Sequence, residues 1–277
     1  AEGVSALMRK YIAAIGQIDT TDGWEHCMST AERFVDEAAS AGAKLIAFPE
    51  NFSQYNGGHT PAEPLENSPT LERMARKAKE HGIWILCGTI FTPAPDGRNY
   101  NTSILLNPEG ERVGRYEKLH LFDVNLPSGD VRKESKHVCP GSHMTMVDTE
   151  LGKLGMSVCY DVRFPELYRH MTLKGAQILL IPAMYSRETG RAHWETLVRA
   201  RAIENTCYVI APNQFGVGGR FGAWGHSMIV DPWGKILAEI PEGEGLALAE
   251  IDLDHLDEVR TSLPCLANRR SDIYGDI

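Results

Sequence analysis

The sequence lacks several features that would place it in a specialised class of protein. It has no run of about 18 consecutive apolar residues, so no membrane-spanning helix is predicted. It has no cluster of basic residues, and its 28 Lys and Arg stand against 37 Asp and Glu, giving a formal net charge of -9. Because an acidic protein repels the phosphate backbone, a general nucleic-acid binder is not expected.

The six cysteines follow no pattern of a disulfide framework or a zinc site. None forms a C-x-x-C pair, and none lies near a histidine at zinc-finger spacing. Several stand in apolar runs, where a reduced cysteine behaves as a small hydrophobe. We therefore expect a reducing compartment, the cytoplasm. The sequence also has no H-E-x-x-H or Walker motif, and neither a metal nor another cofactor is expected.

The order of apolar segments predicts an α/β protein. Of the 277 residues, 43% are apolar and 23% are charged, which is enough for a sizeable core. Strand-like and helix-like segments alternate, and each half contains a βαβ-like unit, so two similar sheets packed together are expected. Without a Pro/Ser-rich linker, residues 8–277 are predicted to form a single domain. Residues 1–7 are expected to be vector-derived or a disordered N-terminus.

Three chemically different side chains follow predicted strands. Glu50 comes after the run LIAFP, Lys118 ends RVGRYEK, and Cys159 follows LGMSV. Ligands of open α/β sheets bind beyond the carboxyl ends of strands. A carboxylate, an ammonium and a thiol at three such ends therefore form a candidate catalytic set.

This set suits nucleophilic attack on an amide. A thiolate attacks carbonyl carbon well, but a free cysteine is mostly protonated near neutral pH. A carboxylate at Glu50 is suited to accept the proton of Cys159 and later to activate water. Lys118 and the backbone N–H of Tyr160 are then placed to stabilise the oxyanion.

Each residue alone also has a structural interpretation. Cys159 fits a buried structural thiol, Lys118 a solvated strand-end charge, and Glu50 an acid beside a helix N-terminus. The glycine-rich run at 216–222 suggests a phosphate loop, but the segment after it is predicted as strand, so this interpretation fails. His120 and His193 lack metal-site spacing and are predicted to be structural or supporting residues.

Several segments together closely resemble the nitrilase superfamily of carbon–nitrogen hydrolases. The similarity extends over nearly the whole chain from Met8. The segments that carry it are FPEN at 48–51, GRYEKLHLFD at 114–123, GMSVCYDVRFPELYR at 155–169, AHWETLVRARAIENTCYVIAPNQ at 192–214, GHSMIVDPWG at 225–234 and RRSDIYG at 269–275.

The resemblance implies a fold and a role for each matching residue. It implies a four-layer αββα sandwich that assembles into homodimers or larger homo-oligomers. It also implies that Glu50 is the general base, Lys118 the oxyanion-stabilising residue and Cys159 the nucleophile. A second glutamate of the family falls on Glu134, where it would orient Lys118 and the substrate. Glu134 otherwise fits a plain loop carboxylate.

Within the superfamily, the segments CYDVRFPEL, AHWE and RRSDIYG most resemble omega-amidases and deaminated glutathione amidases. This branch implies a small, carboxylate-bearing amide as substrate and release of ammonia. The segments at 126–130 and 51–58 depart from the usual pattern, which leaves the substrate open. The same triad would serve an N-carbamoyl amidohydrolase or a nitrilase, and a non-catalytic subunit that kept the fold is a further alternative.

A substrate carboxylate requires a cationic partner, and three arginines are candidates. Arg163 lies near the nucleophile, although it also fits an ion pair with a neighbouring acid, Asp161 or Glu166. Arg187 follows the run IPAMY, as does Arg191. Candidate walls of the binding pocket are Tyr55 and Met184, for which apolar packing is an equal alternative.

Overall fold

Strands and helices alternate along the chain in the computed structural model, which describes residues 6–216 and 222–275. Within these ranges the strands are β1 (Lys10–Gln17), β2 (Ala43–Ala47), β3 (Trp84–Pro93), β4 (Asn99–Leu106), β5 (Arg112–Glu117), β6 (Asp123–Asn125), β7 (Val131–Lys133), β8 (Thr145–Thr149), β9 (Gly152–Met156), β10 (Ile178–Leu180), β11 (Tyr208–Ala211), β12 (Phe215–Gly216), β13 (Ala223–Trp224), β14 (Ser227–Val230), β15 (Ile236–Ile240) and β16 (Gly245–Asp252).

The helices of the same ranges are α1 (Trp24–Ser40), α2 (Pro69–His81), α3 (Pro165–Leu173), α4 (Arg187–Thr189), α5 (Glu195–Asn205), α6 (Leu253–Ser262) and α7 (Ser271–Tyr274). A π-helical turn at Gly190–Trp194 joins α4 to α5. None of these helices combines the length and the apolar character that crossing a membrane requires.

The first sheet has six strands in the spatial order β16-β1-β2-β3-β4-β5, with β1, β2 and β3 parallel. Successive side chains of a strand point to opposite faces. In β2, Leu45 and Ala47 pack between the two sheets, whereas Ile46 packs among residues of α1 and α2. Burial on both faces accounts for the continuous apolar run of this strand.

The second sheet repeats this arrangement, in the order β15-β14-β11-β10-β9-β8, with β9, β10 and β11 parallel. One apolar cluster joins its inner face to β1 and β2, and the same cluster includes residues of α3 and α5. The layers are therefore α1 with α2, the first sheet, the second sheet, and α3 with α5. This four-layer αββα sandwich confirms the predicted fold class.

Local signals in the sequence set the ends of α2. The Ser68 hydroxyl accepts a hydrogen bond from the Leu71 backbone N–H at 3.1 Å, and Pro69 occupies the first helical position. Both are favoured at a helix N-terminus. Gly82 ends the helix in the left-handed conformation, with φ of 60°, and donates its N–H to the Ala78 carbonyl.

Glu50, Lys118 and Cys159 all lie just beyond strands, but the position of Cys159 differs from the prediction. Lys118 directly follows β5 and Glu50 follows β2 closely, as predicted. Cys159 does not end its strand, because β9 stops at Met156. Instead, Cys159 opens a 3-10 turn with φ of +50°, a conformation that strains a residue with a side chain.

Two sequence expectations involve the limits of the described residues. A single domain over 8–277 stays a prediction, supported by the apolar cluster that both sheets share. Residues 1–5 lie outside the described residues, and Ala6 and Leu7 have no regular secondary structure. Residues 217–221 of the glycine-rich run also lie outside them, but the flanking β12 and β13 pair and β14 follows, as a strand interpretation requires.

Gly88 in β3 is required by its close approach to the segment that carries Glu50. A Cβ at this position would lie 1.8 Å from the Phe48 carbonyl oxygen and 2.7 Å from Pro182 Cβ.

We therefore expect Gly88→Ala to lower the free energy of unfolding by about 3 kcal/mol, measured by urea denaturation. At Gly97 an added Cβ would meet nothing within 4 Å, so only the positive φ of +86° disfavours a side chain there. The control Gly97→Ala should lose about 1–2 kcal/mol, and an equal or larger loss there would contradict the packing argument.

Candidate active site

A buried ammonium between two carboxylates forms the centre of the site. Lys118 Nζ lies 3.0 Å from Glu50 Oε1 and 3.0 Å from Glu134 Oε2, and the lysine is only 2% exposed. Cys159, which is 6% exposed, lines the same cavity as these three residues. The structure thus brings together the four residues that the sequence singled out for catalysis.

Hydrogen bonds from three different segments hold Glu50, two of them at its carboxylate. Its Oε1 accepts from Asn101 Nδ2 at 2.7 Å, and its Oε2 accepts from the Met184 backbone N–H at 2.9 Å. Its backbone carbonyl accepts from Gln214 Nε2 at 2.6 Å. The carboxylate is therefore fixed in position and directed at the cavity.

Glu134 lies in a short 3-10 turn after β7, and its carboxylate, like that of Glu50, is held by hydrogen bonds. Its Oε2 accepts from the Phe122 backbone N–H at 2.7 Å, and its Oε1 lies 3.3 Å from Asn101 Nδ2. Burial lowers the pKa of Lys118, but the charges of Glu134 and Glu50 outweigh it and set that pKa well above its usual range. Lys118 is thus an ammonium at neutral pH and well into the alkaline range.

The turn that presents Cys159 is fixed by its backbone. The Cys159 N–H donates to the Pro182 carbonyl at 2.8 Å, and the Asp161 carboxylate accepts from the Val158 N–H at 2.8 Å. Burial and the nearby Glu50 carboxylate raise the pKa of the Cys159 thiol well above its usual range, and Lys118 only partly opposes them. The resting nucleophile is therefore a thiol that needs a base.

The cavity has a volume of about 590 Å³ and is lined by the predicted wall residues Tyr55 and Met184 and by Tyr160, whose backbone N–H was predicted to stabilise the oxyanion. It is rich in aromatic rings and carries two further cations, Arg132 and Lys133. Arg132 Nε donates to Asp130 Oδ2 at 2.8 Å. A cavity of this size suits a small organic substrate.

The three arginines that the sequence offered for a substrate carboxylate, Arg163, Arg187 and Arg191, are not among the described residues that line this cavity. Arg163 lies behind the wall, with its guanidinium carbon 5.8 Å from the ring centroid of Tyr160 and its nitrogens 3.3 Å from His193 Nδ1. The guanidinium carbon of Arg187 lies 6.0 Å from the ring centroid of Phe215.

The proposed ion pair of Arg163 with a neighbouring acid is not what the structure shows. Asp161 instead accepts from Tyr116 Oη at 2.6 Å and lies 2.7 Å from His120 Nδ1. His120 also stacks on Phe164 at 3.7 Å between ring centroids. His120 is therefore a supporting residue between the Lys118 segment and the Cys159 turn, and His193 holds Arg163.

Sequence reasoning missed several residues of the site. Asn101 contacts both carboxylates, and its only sequence signal is a polar residue inside the strand YNTSILL. Arg132 and Lys133 directly precede Glu134, and this adjacency was the available signal. Tyr185 lines the cavity one residue beyond Met184, in the segment that follows β10.

Comparisons with known proteins agree with this geometry. Residues 12–261 match the family described as carbon-nitrogen hydrolase. The chain is 43% identical over 272 residues to a deaminated glutathione amidase of Synechocystis sp., covering 95% of this chain and 99% of that protein. It is 40% identical to the deaminated glutathione amidase of Homo sapiens, covering 96% and 84% of the two chains.

Solved structures show the same similarity. The crystal structure of the C. elegans NitFhit protein matches with a TM-score of 0.89 and 35% identity, covering 98% of this chain and 67% of that one. Saccharomyces cerevisiae Nit3, a member of branch 10 of the nitrilase superfamily, matches with a TM-score of 0.83 and 32% identity, covering 96% and 100%. The expectation of an amide-hydrolysing enzyme of the nitrilase superfamily is confirmed, and the chain belongs to the carbon-nitrogen hydrolase family.

Proposed function

We propose that the protein hydrolyses small, linear, carboxylate-bearing amides to an acid and ammonia through a thioester on Cys159. The observation that carries this proposal is the buried ammonium of Lys118 between Glu50 and Glu134, in a cavity that the Cys159 thiol also lines. A base, a fixed positive charge and a nucleophile around one cavity are the groups that acyl transfer requires.

In the first half of the reaction, Cys159 Sγ attacks the amide carbon while its proton moves to Glu50. The carbonyl oxygen becomes an oxyanion, which Lys118 and the Tyr160 backbone N–H stabilise. Glu50 then returns the proton to the amide nitrogen as the C–N bond breaks. Ammonia leaves, and the acyl group stays on Cys159 as a thioester.

In the second half, water replaces ammonia. Glu50 takes a proton from the water as its oxygen attacks the thioester carbon, and the oxyanion forms again beside Lys118. The C–S bond breaks, the sulfur regains the proton from Glu50, and the carboxylic acid leaves. One amide and one water thus give one acid and one ammonia. Glu134 acts through Lys118, since it fixes the position and the charge of that side chain.

The cations of the cavity support a carboxylate-bearing substrate. Arg132 and Lys133 line the wall next to Glu134, and the charges of Arg163 and Arg187 lie close behind aromatic wall residues. The curated relatives are named for deaminated glutathione, an amide that also carries carboxylates. Both observations favour an anionic small molecule over a nucleic acid as the partner.

We also propose a cytoplasmic location and a homodimer or larger homo-oligomer. All six cysteines are free thiols, which suits a reducing compartment. The homo-oligomer is inferred from the resemblance to the nitrilase superfamily, whose αββα sandwiches pack against one another.

Replacing any residue of the triad should abolish turnover. We expect Cys159→Ala, Glu50→Gln and Lys118→Ala each to lower kcat at least about a thousandfold, measured as ammonia release from a panel of small amides. Because the three act as one unit, the triple variant should lose little more than the worst single one. The control Cys265→Ala changes a partly exposed thiol outside the described cavity lining and should keep full activity. Substantial turnover by Cys159→Ala would overturn the proposal.

The protonated state of Cys159 should be visible in alkylation kinetics. Since the pKa of the thiol is raised, the thiolate fraction is small at neutral pH and grows as pH rises. In the Cys265→Ala background, the rate of inactivation by iodoacetamide should increase steadily from pH 7 to beyond about pH 9, without a plateau. Substrate should protect. A plateau near neutral pH would show a resting thiolate and contradict this assignment.

Removing one carboxylate from Lys118 should move the alkaline limit of activity. The charge of Glu134 is the largest influence that raises the pKa of Lys118. A raised pKa keeps the ammonium present as pH increases, so Glu134→Gln should shift the alkaline limb of kcat/KM to lower pH and reduce activity throughout. The measurement is a profile of kcat/KM against pH. Reduced activity with an unmoved limb would assign Glu134 a different role.

A further inference from the structure

Tyr185 lines the active-site cavity and carries a buried hydroxyl that is unsatisfied. The residue is 4% exposed and lines the cavity with Glu50, Lys118 and Cys159. Its hydroxyl oxygen has no hydrogen-bond partner among the described residues. Buried hydroxyls are nearly always paired, because an unmade hydrogen bond destabilises the folded protein. An unpaired hydroxyl in a binding cavity is therefore available to a ligand.

The ring of Tyr185 is held so that its hydroxyl has a defined position. Its backbone N–H donates to Asn213 Oδ1 at 3.0 Å, and its ring lies against Trp194 with 4.9 Å between centroids. On another side the guanidinium carbon of Arg163 lies 5.4 Å from the ring centroid. Contacts at the backbone and the ring leave the hydroxyl as the free end of a preorganised side chain.

The surroundings also determine what the hydroxyl offers. Burial and the nearby Cys159 raise the pKa of Tyr185, although Arg163 and Lys118 oppose them. The side chain is thus a neutral phenol at physiological pH and can donate one hydrogen bond. The positive charge of Arg163, 5.4 Å from the ring centroid, favours an acceptor that carries negative charge, whereas the charge of Lys118 is already compensated by Glu50 and Glu134.

We propose that Tyr185 is a substrate-binding residue whose hydroxyl donates a hydrogen bond to an oxygen atom on the acyl chain of the substrate. It would select acyl groups that bear a carboxylate or keto oxygen over aliphatic groups of the same shape. In a primary amide the leaving group is ammonia, so an oxygen acceptor beyond the scissile carbonyl belongs to the acyl part. This assignment rests on the proposed amidase function and defines its substrate class further.

A matched pair of amides tests the assignment with the variant Tyr185→Phe, which removes only the hydroxyl. Succinamate carries a carboxylate where 4-methylpentanamide carries an isopropyl group of similar shape. We expect kcat/KM for succinamate to fall on the order of tenfold to a hundredfold, mainly through KM, as for the loss of a hydrogen bond to a charged group. The low rate on 4-methylpentanamide should stay unchanged. Equal losses on both amides, or no loss on succinamate, would overturn the proposal.

Thermal unfolding separates binding from a structural role. Tyr168 is buried, and its hydroxyl donates to Ser157 Oγ at 2.9 Å, so Tyr168→Phe should lower Tm by roughly 2–4 °C. Tyr185→Phe removes a hydroxyl that has no hydrogen-bond partner in the described part of the chain and should keep or raise Tm. A fall in Tm like that of Tyr168→Phe would show a structural partner and contradict the assignment.

A binding measurement separates this proposal from the proposed function. Succinate affinity is measured by calorimetry in Cys159→Ala, with and without Tyr185→Phe. If the wild-type enzyme releases no ammonia from either amide, the amidase proposal fails, but weaker succinate binding with Tyr185→Phe still supports the role of Tyr185. Active wild-type enzyme with unchanged succinate affinity in the double variant leaves the amidase proposal standing and refutes the role of Tyr185.

Discussion

The burial of one ammonium between two carboxylates is the constraint on which the site depends. An unpaired charge removed from water is strongly destabilising, and removing one member of a buried pair leaves the other uncompensated. Lys118 is compensated by both Glu50 and Glu134. The carboxylate oxygens of these two residues also accept hydrogen bonds from Asn101 Nδ2 and from the backbone N–H groups of Met184 and Phe122. The charges can stay buried only while all these donors are in place.

These donors come from segments that are far apart in the sequence, and the sandwich brings them together. Asn101 lies in β4, Lys118 follows β5, and Met184 lies beyond β10 in the other sheet. The close approach of Gly88 to the Phe48 and Pro49 carbonyls, and to Pro182, fixes the distance between the two sheets where the site lies. The geometry of the site therefore depends on the packing of the core, because a shift of either sheet would separate the charges.

The sequence predicted those parts of the site that follow from periodicity. Strand ends are readable from apolar runs, which is how Glu50, Lys118 and Cys159 were found. Glu134 lies in a short turn with no periodic signal, so only the family resemblance pointed to it. The environment of Tyr185 depends on Asn213 and Trp194, which come from distant segments, and the positions of Arg132 and Arg163 relative to the cavity wall depend equally on tertiary packing.

In the proposed mechanism, the same three charges explain why a protonated thiol suffices. At rest Lys118 is compensated by two carboxylates, so its charge lowers the pKa of Cys159 too little to produce a thiolate. When Glu50 accepts the thiol proton, one of these carboxylates becomes neutral. The field of Lys118 is then less compensated, at the moment when an oxyanion forms beside it. Proton transfer to Glu50 thus activates the nucleophile and strengthens oxyanion stabilisation in one step, which a resting thiolate would not provide.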